Sequence, residues 1–282
     1  MAHLIFSDTL CSLGEGPLWH PWEEALYWFD ILGCRLYRRD QKGEQSWEFD
    51  RHVSAAGWLD KGRLLIASET DLFTFDTATG AEERVVALEA DVPETRSNDG
   101  RADPWGGFWI GTMAKDASPG LGSIYRLYRG ELRKLFGELT ITNAICFAPG
   151  GAYAYFADTP EMKIHRVALD ADGWPAEDPK VFVDLSGERL RPDGAVVDTQ
   201  GNLWNAQWGS GRVACYSPDG RFMTAAGFAA GQISCPAFGG PDYTTLFATS
   251  AADGAGADDP LAGATFSIPM GFTGQREHQV KL

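Results

Sequence analysis

One order of residues recurs six times along this chain, and it restricts the fold more than any other feature. From Arg191, a polar turn around Asp193 leads into an apolar run at 195–197, and the Gly201-Asn202 turn then reverses the chain. Residues 203–206 return as a second strand, and Gly209 and Gly211 turn the chain into a third at 212–216. The same order starts near Leu13, Ser54, Ser97, Thr142 and Ile233. With Glu15, Ala56, Asp99, Asn143, Asp193 and Cys235 as equivalent positions, the period is about 41 to 50 residues. Strands this short cannot bury both faces within one copy, so each copy must pack on its neighbours. A repeat of this length with three or four strands predicts an all-β, six-bladed β-propeller, one domain over residues 1–282, with each copy a blade around a central channel. A β-sandwich would not require one fixed order six times.

Two segments lie outside the repeat. Leu4, Ile5 and Phe6 precede the first copy and are expected to form an edge strand on the last blade, closing the ring and hiding its unpaired edge. The tail 271–282 is expected to share that task. Two insertions interrupt equivalent places, 115–122 in the third copy and 253–260 in the sixth, and are expected to overhang one channel mouth as substrate lids.

Charge and cysteine usage narrow the partners. A formal charge of −15 and a pI near 4.7 repel phosphate backbones and anionic membranes, so neither nucleic acid nor a membrane is an expected partner. Residues 1–10 have no charged segment followed by a long apolar core, and no apolar run approaches the roughly 20 residues of a membrane span, which points to the cytoplasm. The expected assembly is a monomer or a weak homo-oligomer. Five scattered cysteines, with no Cys-x-x-Cys pair, read as buried free thiols.

The start of each innermost strand should face the channel at one end. Its occupants are Glu15, Ala56, Asn98 with Asp99, Asn143, Asp193, and Ser234 with Cys235. Carboxylates and amides converging on an axis repel and desolvate one another unless a cation neutralises them. Glu15 and Asp193 with the Asn143 amide oxygen form an all-oxygen ligand set, suited to one hard divalent ion such as Ca²⁺, Mg²⁺ or Mn²⁺, with Zn²⁺ or Fe²⁺ also open. Taken singly, Asp193-Gly194 and Asn98-Asp99-Gly100 read better as turn formers, and Glu15 as a rim charge. Their shared phase favours the metal site.

These residues also carry a resemblance. Leu13-Gly14-Glu15-Gly16-Pro17, Arg96-Ser97-Asn98-Asp99-Gly100, Gly111-Thr112-Met113, Thr142-Asn143-Ala144, Pro192-Asp193-Gly194, Gly201-Asn202-Leu203-Trp204 and Phe238-Gly239-Gly240 occur in the order found in the SMP-30/gluconolactonase, or regucalcin-like, family, which the chain resembles over nearly its whole length. The resemblance implies a single divalent ion held by Glu15, Asn143 and Asp193, a substrate pocket with Arg96 and Asn98, and hydrolysis of a small sugar-acid lactone. Some members place a substrate-contacting glutamate after Gly-Thr-Met. Here that loop offers only Lys115 and Asp116, so Lys115 becomes the candidate substrate contact and hydroxyl recognition is expected to differ.

The ligand set also suggests a mechanism, in which Asp193 orients or deprotonates the attacking water while the ion polarises the lactone carbonyl. Two other functions fit the same scaffold: a hydrolase of phosphotriesters or non-sugar lactones, and a non-catalytic calcium-binding propeller. No Gly-x-Ser-x-Gly, His-Glu-x-x-His or Walker loop is present. The five histidines occupy unrelated blade positions and read as structural or surface residues, and Asp170-Ala171-Asp172-Gly173 reads as a hairpin turn. Trp28, Trp109 and Trp204 should pack between blades, while Trp208 could wall the pocket or join the core.

Overall fold

The computed structural model describes residues 3–282. Six four-stranded antiparallel sheets follow one another along the chain as the blades of a β-propeller, as the repeat predicts. The innermost strands are Gly14–His20, Val53–Asp60, Thr95–Ala102, Thr142–Phe147, Arg191–Val197 and Ile233–Gly239. Leu4–Ser7 pairs antiparallel with Thr265–Pro269, placing Leu4 opposite Ser267 and Ile5 opposite Phe266, so the N-terminal segment supplies the outer strand of blade six. Among the described residues no helix is long and apolar enough to cross a membrane.

Six apolar clusters lie at the six blade junctions. The second strand of each blade is buried on both faces, which explains why it is a continuous apolar run rather than an alternating one. In blade one, Tyr27 and Phe29 pack toward blade two while Leu26 and Trp28 pack toward blade six. Trp109 meets Phe147 of blade four edge-on at 5.4 Å, and Trp204 meets Phe238 of blade six at 5.8 Å, so these tryptophans do join neighbouring blades. Trp208 is half-buried. All five cysteines are free thiols, and Asp170 is a turn residue whose carboxylate accepts the backbone N–H groups of Asp172 and Trp174, each at 2.9 Å.

The tail does not help to close the ring. It runs across the channel end opposite the start of the innermost strands. Gln275 donates to the Phe147 and Val197 carbonyls at 3.0 and 2.9 Å, Trp58 donates to the Glu277 carbonyl at 3.0 Å, and the Val280 N–H meets the Trp58 carbonyl at 3.0 Å. Glu277, itself buried, also pairs with Arg101. A polar tail without periodicity carries no pattern that reveals such a strap; only the carbonyls left open at the strand ends give it a path.

Candidate metal and substrate site

A recurring backbone irregularity builds the site. Near its start, each innermost strand has one residue more than the strand it pairs with: between Glu15 and Leu18, Val53 and Ala55, Ser97 and Gly100, Asn143 and Cys146, Pro192 and Ala195, and Ile233 and Pro236. Such a bulge bends the strand and re-aims its side chains. The bulges also refine the equivalence of the six copies. Glu15 and Asn143 are the last paired residues before their bulges, whereas Asn98 and Asp193 lie one residue further, inside theirs. Glycine is required in two of them. Gly16 has φ of +54°, and a Cβ on Gly194 would stand 2.2 Å from Cys235 Sγ.

Glu15, Arg96, Asn98, Asp99, Asn143 and Asp193 are all buried, and hydrogen bonds and shared charge bring them together at one end of the channel. Asn98 Nδ2 donates to Asn143 Oδ1 at 3.1 Å and to the Thr142 carbonyl at 2.9 Å. Asn143 Nδ2 donates to Thr159 Oγ1 at 2.9 Å, and Thr159 in turn donates to the Pro192 carbonyl at 2.7 Å. Because its nitrogen is committed to Thr159, the Asn143 amide can turn only its oxygen to the channel. Asn205 holds the backbone around Asp193 by donating to the Asp193 and Gly194 carbonyls at 2.9 and 3.2 Å. Thr159 and Asn205 are not apparent from the sequence, since each acts through a neighbouring blade or strand rather than at the shared phase.

The electrostatics are those of a site short of positive charge. Burial, with the nearby Asp99 charge, pushes the Glu15 carboxyl up to about 8, although the Gly16 N–H and Arg96 oppose the shift. Burial and the charges of Glu15 and Asp99 push Asp193 well above the ordinary range, and burial lifts Asp99 to about 6. Burial brings Arg96 down to about 10 against the pull of Glu15, Asp193 and Glu69. A divalent cation would reverse the carboxyl shifts, which makes the donor set chemically suited to one. No three Asp, Glu, His or Cys side chains gather as ligands among the described residues, so a set of three protein ligands here needs an amide or carbonyl oxygen, of which the Asn143 amide is the candidate.

The candidate substrate contacts differ in the capacity they have left. Arg96 Nη1 donates to the Ser97 carbonyl at 2.9 Å and to Asn98 Oδ1 at 2.8 Å, leaving Nε and Nη2 free to bind a ligand. Asn98 uses both amide hydrogens inside the site, so toward a ligand it offers only a lone pair. Lys115 is half-exposed on its loop and pairs with Glu69 at 2.7 Å, and Glu69 also meets His52 Nδ1 at 2.7 Å. The blade-six insertion leaves the same end, where the Asp253 N–H meets the Ser12 carbonyl at 2.9 Å and the Gly231 N–H meets Asp259 at 2.7 Å.

The chain is similar to known proteins over nearly its whole length. Residues 13–252 match the family model described as the SMP-30/gluconolactonase/LRE-like region. The chain is 36% identical to L-arabinolactonase of Azospirillum brasilense, over 93% of this chain and 90% of that protein. It is 32% identical to 6-deoxy-6-sulfogluconolactonase of Pseudomonas putida, over 94% of each. The crystal structure of a calcium-binding protein, regucalcin, from Agrobacterium tumefaciens superposes with a TM-score of 0.97 at 38% identity, covering 100% of this chain and 98% of that one. With a family model matched over residues 13–252 and relatives similar over more than nine-tenths of the chain, the chain belongs to the SMP-30/gluconolactonase/LRE-like family.

Proposed function

We propose that this protein hydrolyses a sugar-acid lactone of the glucono- or arabinonolactone type to the open aldonic acid, with one divalent metal ion. The observation that carries this reading is the convergence of Glu15, Asn143 and Asp193 beside Arg96, in a chain similar to sugar lactonases. A divalent ion (Ca²⁺, Mg²⁺, Mn²⁺, Zn²⁺ or Fe²⁺) held by those three residues would supply Lewis acidity toward the lactone carbonyl. Asp193 is the catalytic base. Its buried carboxylate accepts a proton from the attacking water as the water oxygen bonds to the carbonyl carbon. The ring C–O bond then breaks, and the ring oxygen takes up the proton to leave as a hydroxyl of the aldonic acid. Arg96 presents Nε and Nη2 to ring hydroxyls, the Asn98 oxygen accepts from one, and Lys115 reaches the substrate from its loop. The net charge of −15 fits a small-molecule substrate better than a nucleic acid or an anionic membrane.

Acid release from aldonolactones, followed by pH indicator with and without chelator, tests this reading. Turnover is expected on at least one aldonolactone, with loss on chelation and recovery on adding a divalent ion. Chelator-insensitive turnover would remove the metal-dependent mechanism. Metal bound without turnover of any lactone would leave a calcium-binding propeller, and turnover of a phosphotriester alone would point to the other hydrolase.

A further inference from the structure

Blade two contributes none of the residues assigned above, yet a polar cluster closes its edge of the channel mouth. Its second strand, Arg63–Ser68, is followed by Glu69, whose backbone N–H donates to the His52 carbonyl at 3.1 Å. Glu69 Oε2 receives both His52 Nδ1 and Lys115 Nζ, each at 2.7 Å. The three side chains are 27%, 18% and 37% exposed in the order His52, Glu69 and Lys115, so the cluster is held in place and still open to the mouth. Among the described residues no donor is bonded to Oε1, and that oxygen is not sealed from solvent.

The cluster adjoins the site. Lys115 follows the strand Phe108–Ala114, in which Met113 is the direct partner of Arg96. The charge of Glu69 also acts on the Arg96 guanidinium. Burial pushes the Glu69 carboxyl up, but the bonds from Lys115 and His52 outweigh it and hold the group below its ordinary value, so it is anionic at neutral pH. The edge shared by blades two and three therefore offers Arg96 donors, a fixed carboxylate acceptor and the remaining N–H groups of Lys115. A hydroxyl both donates and accepts, and so fits this sequence of partners. A carboxylate, sulfonate or phosphate would satisfy Lys115 only by facing Glu69.

We infer that Glu69, clamped between His52 and Lys115, is a specificity-determining residue that accepts a hydrogen bond from a substrate hydroxyl and excludes lactones bearing a negative charge at that position. The inference rests on the lactonase reading and deepens it to the class of neutral polyhydroxy lactones. Glu69→Gln removes the charge, frees Lys115 and keeps the side-chain shape. His52 acts as a positioning residue through its bond to Oε2.

The test compares D-glucono-1,5-lactone with D-glucaro-1,4-lactone, which carries a free carboxylate, on wild type, Glu69→Gln and Glu69→Asp, with calcium and manganese titrations and thermal melting as controls. For Glu69→Gln, kcat/KM on the neutral lactone should fall on the order of 10-fold, mainly through KM, while that on the anionic lactone rises, with metal affinity and melting unchanged. Glu69→Asp keeps the charge but withdraws the oxygen; it should lose activity on the neutral lactone without gaining any on the anionic one, and it carries the test if the glutamine variant melts early. A wild-type enzyme whose neutral-to-anionic ratio is the same in both variants overturns the inference and leaves the lactonase reading intact. A wild type inert on every lactone removes both.

Discussion

At the scale of single residues, the site depends on how completely each polar group is committed. Glu15 and Asp193 are costly where they stand, because burial and mutual repulsion oppose their charged forms. Glu15→Gln and Asp193→Asn should therefore abolish most lactone turnover and weaken metal binding while leaving the protein folded, as read by calorimetric metal titration beside circular dichroism. Thr159→Val removes the acceptor that fixes the Asn143 amide. It should weaken metal binding on the order of 10-fold to 100-fold, the range found when a partner behind a metal ligand is lost. Arg96→Ala should lower kcat/KM on the best lactone on the order of 10-fold to 100-fold with metal content unchanged. His20 supports a different kind of prediction. Its Nε2 meets the Asp60 carbonyl at 3.0 Å while the Trp22 and Glu23 N–H groups, both at 3.3 Å, point to Nδ1, so the buried ring is held neutral. Burial pushes its pKa below 6.5 despite the pull of Glu23. The unfolded chain then binds the proton more readily, and stability falls as pH drops below about 6.5, by at most about 1.4 kcal/mol per pH unit for one proton. Urea midpoints between pH 7 and pH 5 should fall less steeply for His20→Gln than for wild type.

At the scale of elements, the bulge at the start of each innermost strand converts a repeated strand into a site. A regular strand would alternate its side chains between the two blade faces and leave few to point along the axis. The bulge of blade five depends on Gly194, because a methyl group there collides with Cys235. Gly194→Ala should destabilise the fold by about 1 to 3 kcal/mol, the usual range for overpacking. It should also shift Asp193, so that denaturation midpoint and metal affinity fall together. Gly187, where a Cβ would meet nothing within 4 Å, provides the neutral control.

At the scale of the whole molecule, the ring is closed at one place and braced at another. The N-terminal strand pairs with blade six, and the tail ties blades two, three, four and five together below the channel. Within that brace, Arg101 is 11% and Glu277 8% exposed, and the Arg101 charge also acts on Asp99. Glu277→Gln leaves a buried guanidinium without its counter-charge and should cost about 3 to 5 kcal/mol. Removing residues 275–282 should cost at least as much and open the lower channel. Guanidinium melts check both.

The sequence by itself determined the number of blades, the closing strand and the neighbourhood of Glu15, Asn98, Asn143 and Asp193, because a repeat imposes one packing problem six times and so makes equivalent positions comparable. It could not reveal the one-residue difference in phase between Asn143 and Asp193, since a bulge is a matter of pairing and leaves no spacing of its own. Thr159, Asn205 and the contact of Glu69 with His52 and Lys115 were also invisible, because each arises only where separate strands or blades meet. The tail was misjudged for the same reason. Its polar side chains find partners only in carbonyls exposed once the ring has formed, and the tertiary structure alone decides where those carbonyls lie.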